Sequence, residues 1–434
     1  MMRQSWRILP IVAGCLLPQV ALADDGSTFR SLVEQTLVNN PRIRSAQASL
    51  DAARERLTQA RGGLLPEVGL DLSQGHNKIN WQGGTHGSEP QMASINLAQA
   101  VFDQRALVAF KQAQPYVEAF EQSLAAEKQG VFLQVTDVAL NYLKAKNVAQ
   151  LARNNREVTE RNLETTRDRF RVGEITQTDV SQASSRLASA EADVLRTSND
   201  VAVGKARFEE VVGHPPPAEL AIPSLEVPLL GESLEALVRE AQQRPDLQAV
   251  QLRSQVAKLN VDMERAGFYP TLGLTSSLNR NWRQEVVGRK DPVDQVTVTL
   301  GLKVPLYSGG KTTSQVDQAQ AEYLGQEVER ERLLRQIARE VEQARLNLKS
   351  IQGVVLAYEA AEKAATEAMI GIEQEYRVGS RTALDLLVAQ NVVFTSQTDL
   401  AKSRFDLILA QFQLLQAVGH LHLQEMVFTK SPSS

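Results

Sequence analysis

Five histidines, one cysteine and a Gly-Gly-Lys-Thr segment are the residues of this chain that come closest to a catalytic or metal-binding pattern. No histidine has a cysteine partner or a second histidine one helical turn away, so their spacing does not predict a zinc site. They are His76, His86, His214, His420 and His422. The segment around Lys311 lacks the G-x-x-x-x-G-K spacing of a phosphate-binding loop. We therefore expect no enzyme activity, no metal and no cofactor.

Glycines and charged residues instead form a motif that occurs twice. Arg171-Val172-Gly173 recurs 206 residues later as Arg377-Val378-Gly379, and Asp179 recurs at the same offset as Asp385. A glycine that follows a long helical pattern can adopt the left-handed conformation that ends a helix. A threonine three residues after each glycine is a suitable N-cap for a returning helix. The motif predicts two equivalent helix–turn–helix tips.

The rest of the chain repeats at nearly the same offset. Pro41 and Pro66 recur as Pro245 and Pro270, 204 residues later. So long a period indicates two copies of a domain-sized unit, because solenoids repeat every 20–50 residues. We expect a signal segment at 1–23, a first repeat at 24–213, a Pro-rich linker at 214–230, a second repeat at 231–419 and a tail at 420–434.

The N-terminal segment has the pattern of a secretory signal. Arg3 and Arg7 precede an apolar run that ends in Ala-Leu-Ala at 21–23, a typical cleavage pattern. Cys15 lies inside this run, in a Val-Ala-Gly-Cys context that resembles a lipid-attachment signal. The apolar run continues past Cys15, which favours cleavage over lipidation. No later run of about 18 apolar residues predicts a transmembrane helix.

Composition and charge limit the fold and the partners. Aromatic residues make up only 5% of the chain, and Ala, Gln, Glu, Leu, Arg and Val are abundant, which favours long helices with thin seams. The net charge is −4, and no basic block is present. We therefore expect no nucleic-acid partner.

Each copy has the same predicted order of elements. A short helix is followed by a helix that begins at Pro41 or Pro245, then by a β-hairpin, a very long helix and a return helix. The predicted hairpins are about 67–103 and 271–307, with loops at about 75–92 and 280–294. The predicted long helices are 107–170 and 314–376, and the tips are 171–179 and 377–385.

The hairpin strands alternate between apolar and polar residues. Val296, Val298 and Leu300 should face one side, and Thr297 and Thr299 the other. This pattern, over about ten residues per strand, suits the wall of a barrel in lipid, although a small soluble sheet packed on helices is the alternative. Four strands cannot close a barrel, so several chains would have to share it.

Two tryptophans support the membrane interpretation. Trp81 and Trp282 each lie just past the first strand of their hairpin. Aromatic residues concentrate at membrane–water interfaces, so both are candidate interface anchors.

The duplicated units, the paired Arg-Val-Gly tips and the segment RTALDLLVAQ that begins at Arg381 resemble the TolC family of outer-membrane efflux and type I secretion channels. The resemblance covers about Asp24 to Gly419. It implies a mostly α fold with a small β part, in which a homotrimer forms a helical periplasmic barrel continuous with a 12-stranded outer-membrane β-barrel, four strands per chain. It also implies outer-membrane lipid, a periplasmic adaptor and an inner-membrane transporter of ABC or RND type as partners, in a Gram-negative cell.

The resemblance also implies functional residues at the tips. Asp385 would line the periplasmic aperture, and the Arg-Val-Gly turns at 171–173 and 377–379 would dock the adaptor. The implied closed-state latch consists of Tyr376, Arg381, Thr178 and Asp179. Val388 stands where the family's best-known member has a second acidic residue, so cation selectivity should be weaker here. Ordinary solvated helix charges are the alternative for these residues.

The sequence thus predicts a passive outer-membrane exit duct of an efflux pump or type I secretion system. The alternative is a periplasmic coiled-coil adaptor or scaffold without a pore. An adaptor would carry a single long hairpin rather than two copies with amphipathic strand pairs. The sequence does not identify the cargo, which can be a drug, a metal ion or a protein, or the transporter.

Overall fold

The computed structural model describes residues 25–81, 84–220, 224–225, 233–282, 292–421 and 428–429. The predicted signal segment 1–23 with Cys15 lies outside the described residues, as do most of the second hairpin loop, much of the linker and the end of the tail. The side chains of Trp81 and His86 also lie outside the description.

Long helices dominate both repeats. The helices are α1 (Asp25–Asn39), α2 (Pro41–Gly62), α3 (Gln104–Arg171), α4 (Gln177–Val212), α5 (Leu234–Ala241), α6 (Pro245–Arg265), α7 (Lys311–Arg377) and α8 (Ala383–Val418). A 3-10 turn, Ala266–Phe268, extends α6. Helices α3 and α7 contain 68 and 67 residues, which at 1.5 Å per residue is about 100 Å each. No helix among the described residues is long and apolar enough to cross a membrane.

The described strands form a four-stranded main sheet, which joins the two repeats, and two separate strand pairs. The strands are β1 (Glu67–Gln74), β2 (Asn77–Trp81), β3 (Gly84–Ser88), β4 (Gln91–Phe102), β5 (Ser224–Leu225), β6 (Thr271–Trp282), β7 (Val293–Lys303) and β8 (Phe428–Thr429). The four longest are antiparallel in the order β1-β4-β6-β7, so the hairpins of the two copies lie side by side. Each repeat contributes one antiparallel strand pair, β1–β4 in the first and β6–β7 in the second. The two separate pairs are β2–β3 and β5–β8.

The loop of the first hairpin contains secondary structure of its own. Within the predicted loop at about 75–92, β2 and β3 form an antiparallel ribbon. The backbone pairing of this ribbon runs from Asn77 and Ser88 to Trp81 and Gly84. A pattern of side-chain types does not reveal such pairing. The first hairpin therefore carries a protruding two-stranded extension.

The core lies where the short helices pack against the long ones. Phe29 of α1, Phe132 of α3 and Phe412 of α8 have ring centroids 6.2–6.4 Å apart and are almost fully buried. Aromatic rings at such distances stabilise each other beyond their area burial. A second cluster, with Leu237, Ile337 and Leu414, serves the second repeat. Because α8 contributes to both clusters, the two repeats share one core region.

The two repeats also have equivalent polar contacts beside these clusters. The Asn40 side chain donates to the Val211 carbonyl (3.1 Å), and the Arg244 guanidinium donates to the Ala417 carbonyl (3.2 Å). Both carbonyls belong to the last turn of a return helix, where carbonyls lack intrahelical partners. Each residue before the helix-starting proline therefore ties α2 or α6 to the end of its return helix.

Candidate functional site

The two tips are built by the same hydrogen bonds. Gly173 has φ 83° and Gly379 has φ 82°. The amide of Glu174 donates to the Arg169 carbonyl (3.0 Å), and that of Ser380 donates to the Glu375 carbonyl (2.9 Å). This pattern, with a left-handed glycine, is the Schellman motif that ends a helix. A left-handed glycine thus ends the long helix at each of the positions Gly173 and Gly379.

The tips present apolar and charged groups to solvent. Val172 and Val378 are 72% and 81% exposed. Arg171 ion-pairs with Asp168, and Arg377 with Glu373 at 2.6 Å, each within its own helix. Each turn therefore offers an apolar side chain next to a fixed charge, which is a suitable docking surface.

The return helices begin with equivalent capping boxes. The Thr176 hydroxyl donates to Asp179 and the Thr382 hydroxyl to Asp385, both at 2.7 Å. These side-chain hydrogen bonds, followed by those from the threonine backbone amides, lower the pKa of both carboxyls. Asp385 therefore carries its negative charge at neutral pH and below.

The other predicted latch residues have contacts within the same chain. Arg381 Nε lies 2.8 Å from Glu375 Oε2, and this hydrogen bond raises the pKa of Arg381. The Tyr376 ring lies under the Arg169 guanidinium, with 4.7 Å from Cζ to the ring centroid. Thr178 is exposed. The expected contacts of Tyr376 and Arg381 with Thr178 and Asp179 stay a prediction.

The main sheet has one apolar and one polar face. Leu70, Ile95, Leu278 and Val296 are paired in succession across the four strands, and all are exposed. On the other face the Asn96 amide donates to Asp71 (2.7 Å) and Ser94 (3.2 Å). Exposed apolar rows opposite a hydrogen-bonded polar face are typical of strands between lipid and water.

Aromatic residues lie at both ends of the strands, partly buried at the loop end and exposed at the helix end. At the loop end, Arg280 lies 5.7 Å from the Trp282 ring centroid. At the helix end, Phe268 and Tyr269 are half-exposed, and Tyr307 is 90% exposed. These residues at the helix end were not among the predicted interface aromatics, Trp81 and Trp282. The sequence could have indicated them, because aromatic residues occur at both ends of a predicted membrane strand and such residues concentrate at both membrane–water interfaces.

The sequence matches a known family over most of its length. Residues 32–214 and 236–420 each match the model of the outer membrane efflux protein family, once per repeat.

The chain belongs to the outer membrane efflux protein family.

It is 28% identical to the outer membrane protein TolC of Vibrio cholerae, over 97% of each chain. It is also 24% identical to the proteases secretion protein PrtF of Dickeya chrysanthemi, over 91% of this chain and 88% of that one. The fold resembles that of the Campylobacter jejuni CmeC outer membrane channel, with a TM-score of 0.80 at 16% identity, over 90% and 85% of the two chains.

Family membership decides between the two functions expected from the sequence. This outer membrane efflux protein is an outer-membrane export channel of a Gram-negative cell that extends into the periplasm. The family consists of transport conduits rather than enzymes. The alternative of an adaptor without a pore is wrong, since the family match covers both repeats and the strand pairs within them.

Proposed function

We propose that three copies of this chain form a passive exit duct. Their twelve strands close a barrel in the outer membrane, and their helices form a tunnel through the periplasm. An inner-membrane transporter, reached through a periplasmic adaptor, supplies the energy. The observation that carries the proposal is the exposed apolar face of a four-stranded sheet continuous with two helices of about 100 Å.

The sheet supports an assembly rather than a single-chain pore. Among the described strands of the main sheet, β1 and β7 each have a neighbour on one side only. Unpaired strand edges cannot face hydrocarbon, because their backbone amides and carbonyls would lack hydrogen-bond partners. Pairing β1 of one chain with β7 of the next removes both edges.

The tips support the proposed docking and gating roles. Val172 and Val378 with their flanking arginines form an exposed surface at the end of the helices, where an adaptor can bind. Asp385 supplies the charge at the aperture. Tyr376, Arg381, Thr178 and Asp179 hold the closed state between helix pairs through directional, breakable contacts.

Purified protein from the outer-membrane fraction tests this proposal. We expect detergent-stable trimers that dissociate on heating and that conduct ions in planar bilayers. Monomers without conductance would contradict the duct.

Photo-crosslinkers placed at Val172 and Val378 identify the adaptor and, through it, the transporter. The captured transporter indicates the class of cargo. A small-molecule transporter would indicate small-molecule efflux, and a protein transporter would indicate protein secretion, as the name of PrtF indicates for that relative.

A further inference from the structure

The two tips of one chain are joined by a contact that no predicted role uses. Arg169, in the last turn of α3, lies over the ring of Tyr376, in the last turn of α7, at 4.7 Å. Arg169 Nε is also 3.7 Å from Glu174 Oε2, just past the first tip glycine. A guanidinium within about 6 Å of a ring centroid is attracted by the ring's negative face. The contact links the first repeat to the second at the end of the helices.

The exposure of Arg169 distinguishes it from the other arginines of the tips. Its side chain is 30% exposed, whereas those of Arg171 and Arg377 are 75% and 71% exposed. A solvated arginine keeps its guanidinium in water. Arg169 is instead held between an aromatic face and a carboxylate.

The duplication shows that this contact depends on differences between the copies. Arg169 and Phe170 of the first copy correspond to Glu375 and Tyr376 of the second. The charge is therefore reversed at one position, and each tip has its own ion pair, Arg169–Glu174 and Glu375–Arg381. Residues 375 and 376 connect the two pairs, since Glu375 binds Arg381 and Tyr376 binds Arg169.

We propose that Arg169 is a positioning residue that couples the two tips of each chain through the face of Tyr376. It acts on the proposed closed state, and so rests on the proposed function, but its contact joins the two helix pairs of a single chain. The contact needs the ring of Tyr376 and not its hydroxyl. A latch based on a hydrogen bond from Tyr376 to Thr178 or Asp179 would need the hydroxyl.

Spin labels at the tips test the coupling without reference to transport. Cysteines replace Val172 and Val378 in a full-length Cys15→Ser chain, and labelled protein is diluted with unlabelled protein so that pairs within one chain dominate. Arg169→Gln and Tyr376→Leu should each broaden the distance distribution, and the double variant should be no broader than either. Tyr376→Phe should match the parent. The matched control is Arg167→Gln, which removes an exposed arginine two residues earlier.

A parental distribution in Arg169→Gln, or Tyr376→Phe as broad as Tyr376→Leu, would overturn the proposal. Planar-bilayer recordings then connect the coupling to the gate. Arg169→Gln should lower the closed-to-open ratio roughly two- to five-fold, which corresponds to about 0.5–1 kcal/mol for an exposed cation–π pair. A broadened distribution with parental conductance would support the coupling and count against the tip as the gate of the proposed duct.

Discussion

Asp179 and Asp385 have the same capping contacts at the start of their return helices, yet only Asp385 is proposed to line the aperture. A purely structural carboxylate would matter equally in both copies. Asparagine keeps an acceptor oxygen for the cap and removes the charge. The pair Asp179→Asn and Asp385→Asn therefore separates capping from selectivity.

We expect Asp385→Asn to reduce the preference for cations, measured as the reversal potential under a salt gradient in planar bilayers. Asp179→Asn changes a residue of the proposed latch but not of the aperture, so it should leave the reversal potential unchanged. The pH dependence has a definite sign. The pKa of Asp385 is lowered below its ordinary value of 3.8 by the hydrogen bonds from Thr382. The cation preference should therefore be present at neutral pH and be lost as the pH falls through the lowered pKa of Asp385. Equal effects of both variants on the reversal potential would contradict the assignment of Asp385 to the aperture.

Gly173 and Gly379 are required by backbone conformation rather than by space. A β-carbon at either position would meet no atom within 4 Å, but φ is 83° and 82°. A β-branched residue in this region costs about 1–3 kcal/mol.

We expect Gly379→Val to abolish export while the trimer yield in the outer membrane stays near normal, because the strain is confined to the turn. Gly379→Asn should retain partial export, since asparagine tolerates the left-handed region. The control is Gly371→Ala within α7, where an added β-carbon also meets nothing. Export assays and trimer blots provide the measurements. Loss of the trimer in Gly379→Val would assign the glycine to folding instead.

At the scale of elements, the period of side-chain types predicted the structure well where one face of an element differs from the other. The alternation through Val296, Val298 and Leu300 predicted β7 and the residues that share its apolar face. The left-handed glycines and threonine caps predicted both tips. The ribbon β2–β3 was not predicted because its strands have only five residues each, and only Ile79 and Trp81 of β2 alternate with polar residues.

Contacts between distant residues could not be predicted in the same way. Arg169 and Tyr376 are 207 residues apart, and their contact depends on how α3 and α7 approach each other. The same holds for Arg381, whose neighbour Glu375 lies across the turn. The hydrophobic period of a single helix shows which of its faces is apolar, but it does not show where another long helix will pack against it.

The register of the main sheet gives a test of its two faces. Leu300 pairs with Leu274 and Thr299 with Thr275, so the neighbours Leu300 and Thr299 point to opposite sides. Arginine on the lipid side near the middle of the membrane costs about 2–4 kcal/mol. We expect Leu300→Arg to impair assembly in the outer membrane and Thr299→Arg to assemble with a lower conductance. Heat-modifiability on gels and bilayer conductance measure the two effects. Equal assembly of both variants would reject the orientation of the sheet.

At the scale of the whole molecule, the duplication places two hairpins in one sheet and two long helix pairs below it. Phe412 of α8 completes the core of the first repeat, and Arg244 binds Asp246, Glu340 and the Ala417 carbonyl in the second. These contacts hold the helix pairs of one chain together, but among the described strands the outer edges of β1 and β7 have no neighbour within the chain.

The number of chains follows from how these edges pair. Two chains would supply eight strands, about the minimum for a barrel, and three would supply twelve. Because the stagger between chains is unknown, Val296→Cys on β7 is combined in turn with Val68→Cys, Leu70→Cys or Leu72→Cys on β1. We expect at least one combination to give covalent dimers and trimers, and nothing larger, on non-reducing gels. Leu278→Cys with Leu70→Cys is the control, since β4 separates these strands within the sheet. A series of bands that stops at the dimer would mean an eight-stranded wall, and one that continues past the trimer would mean an open assembly.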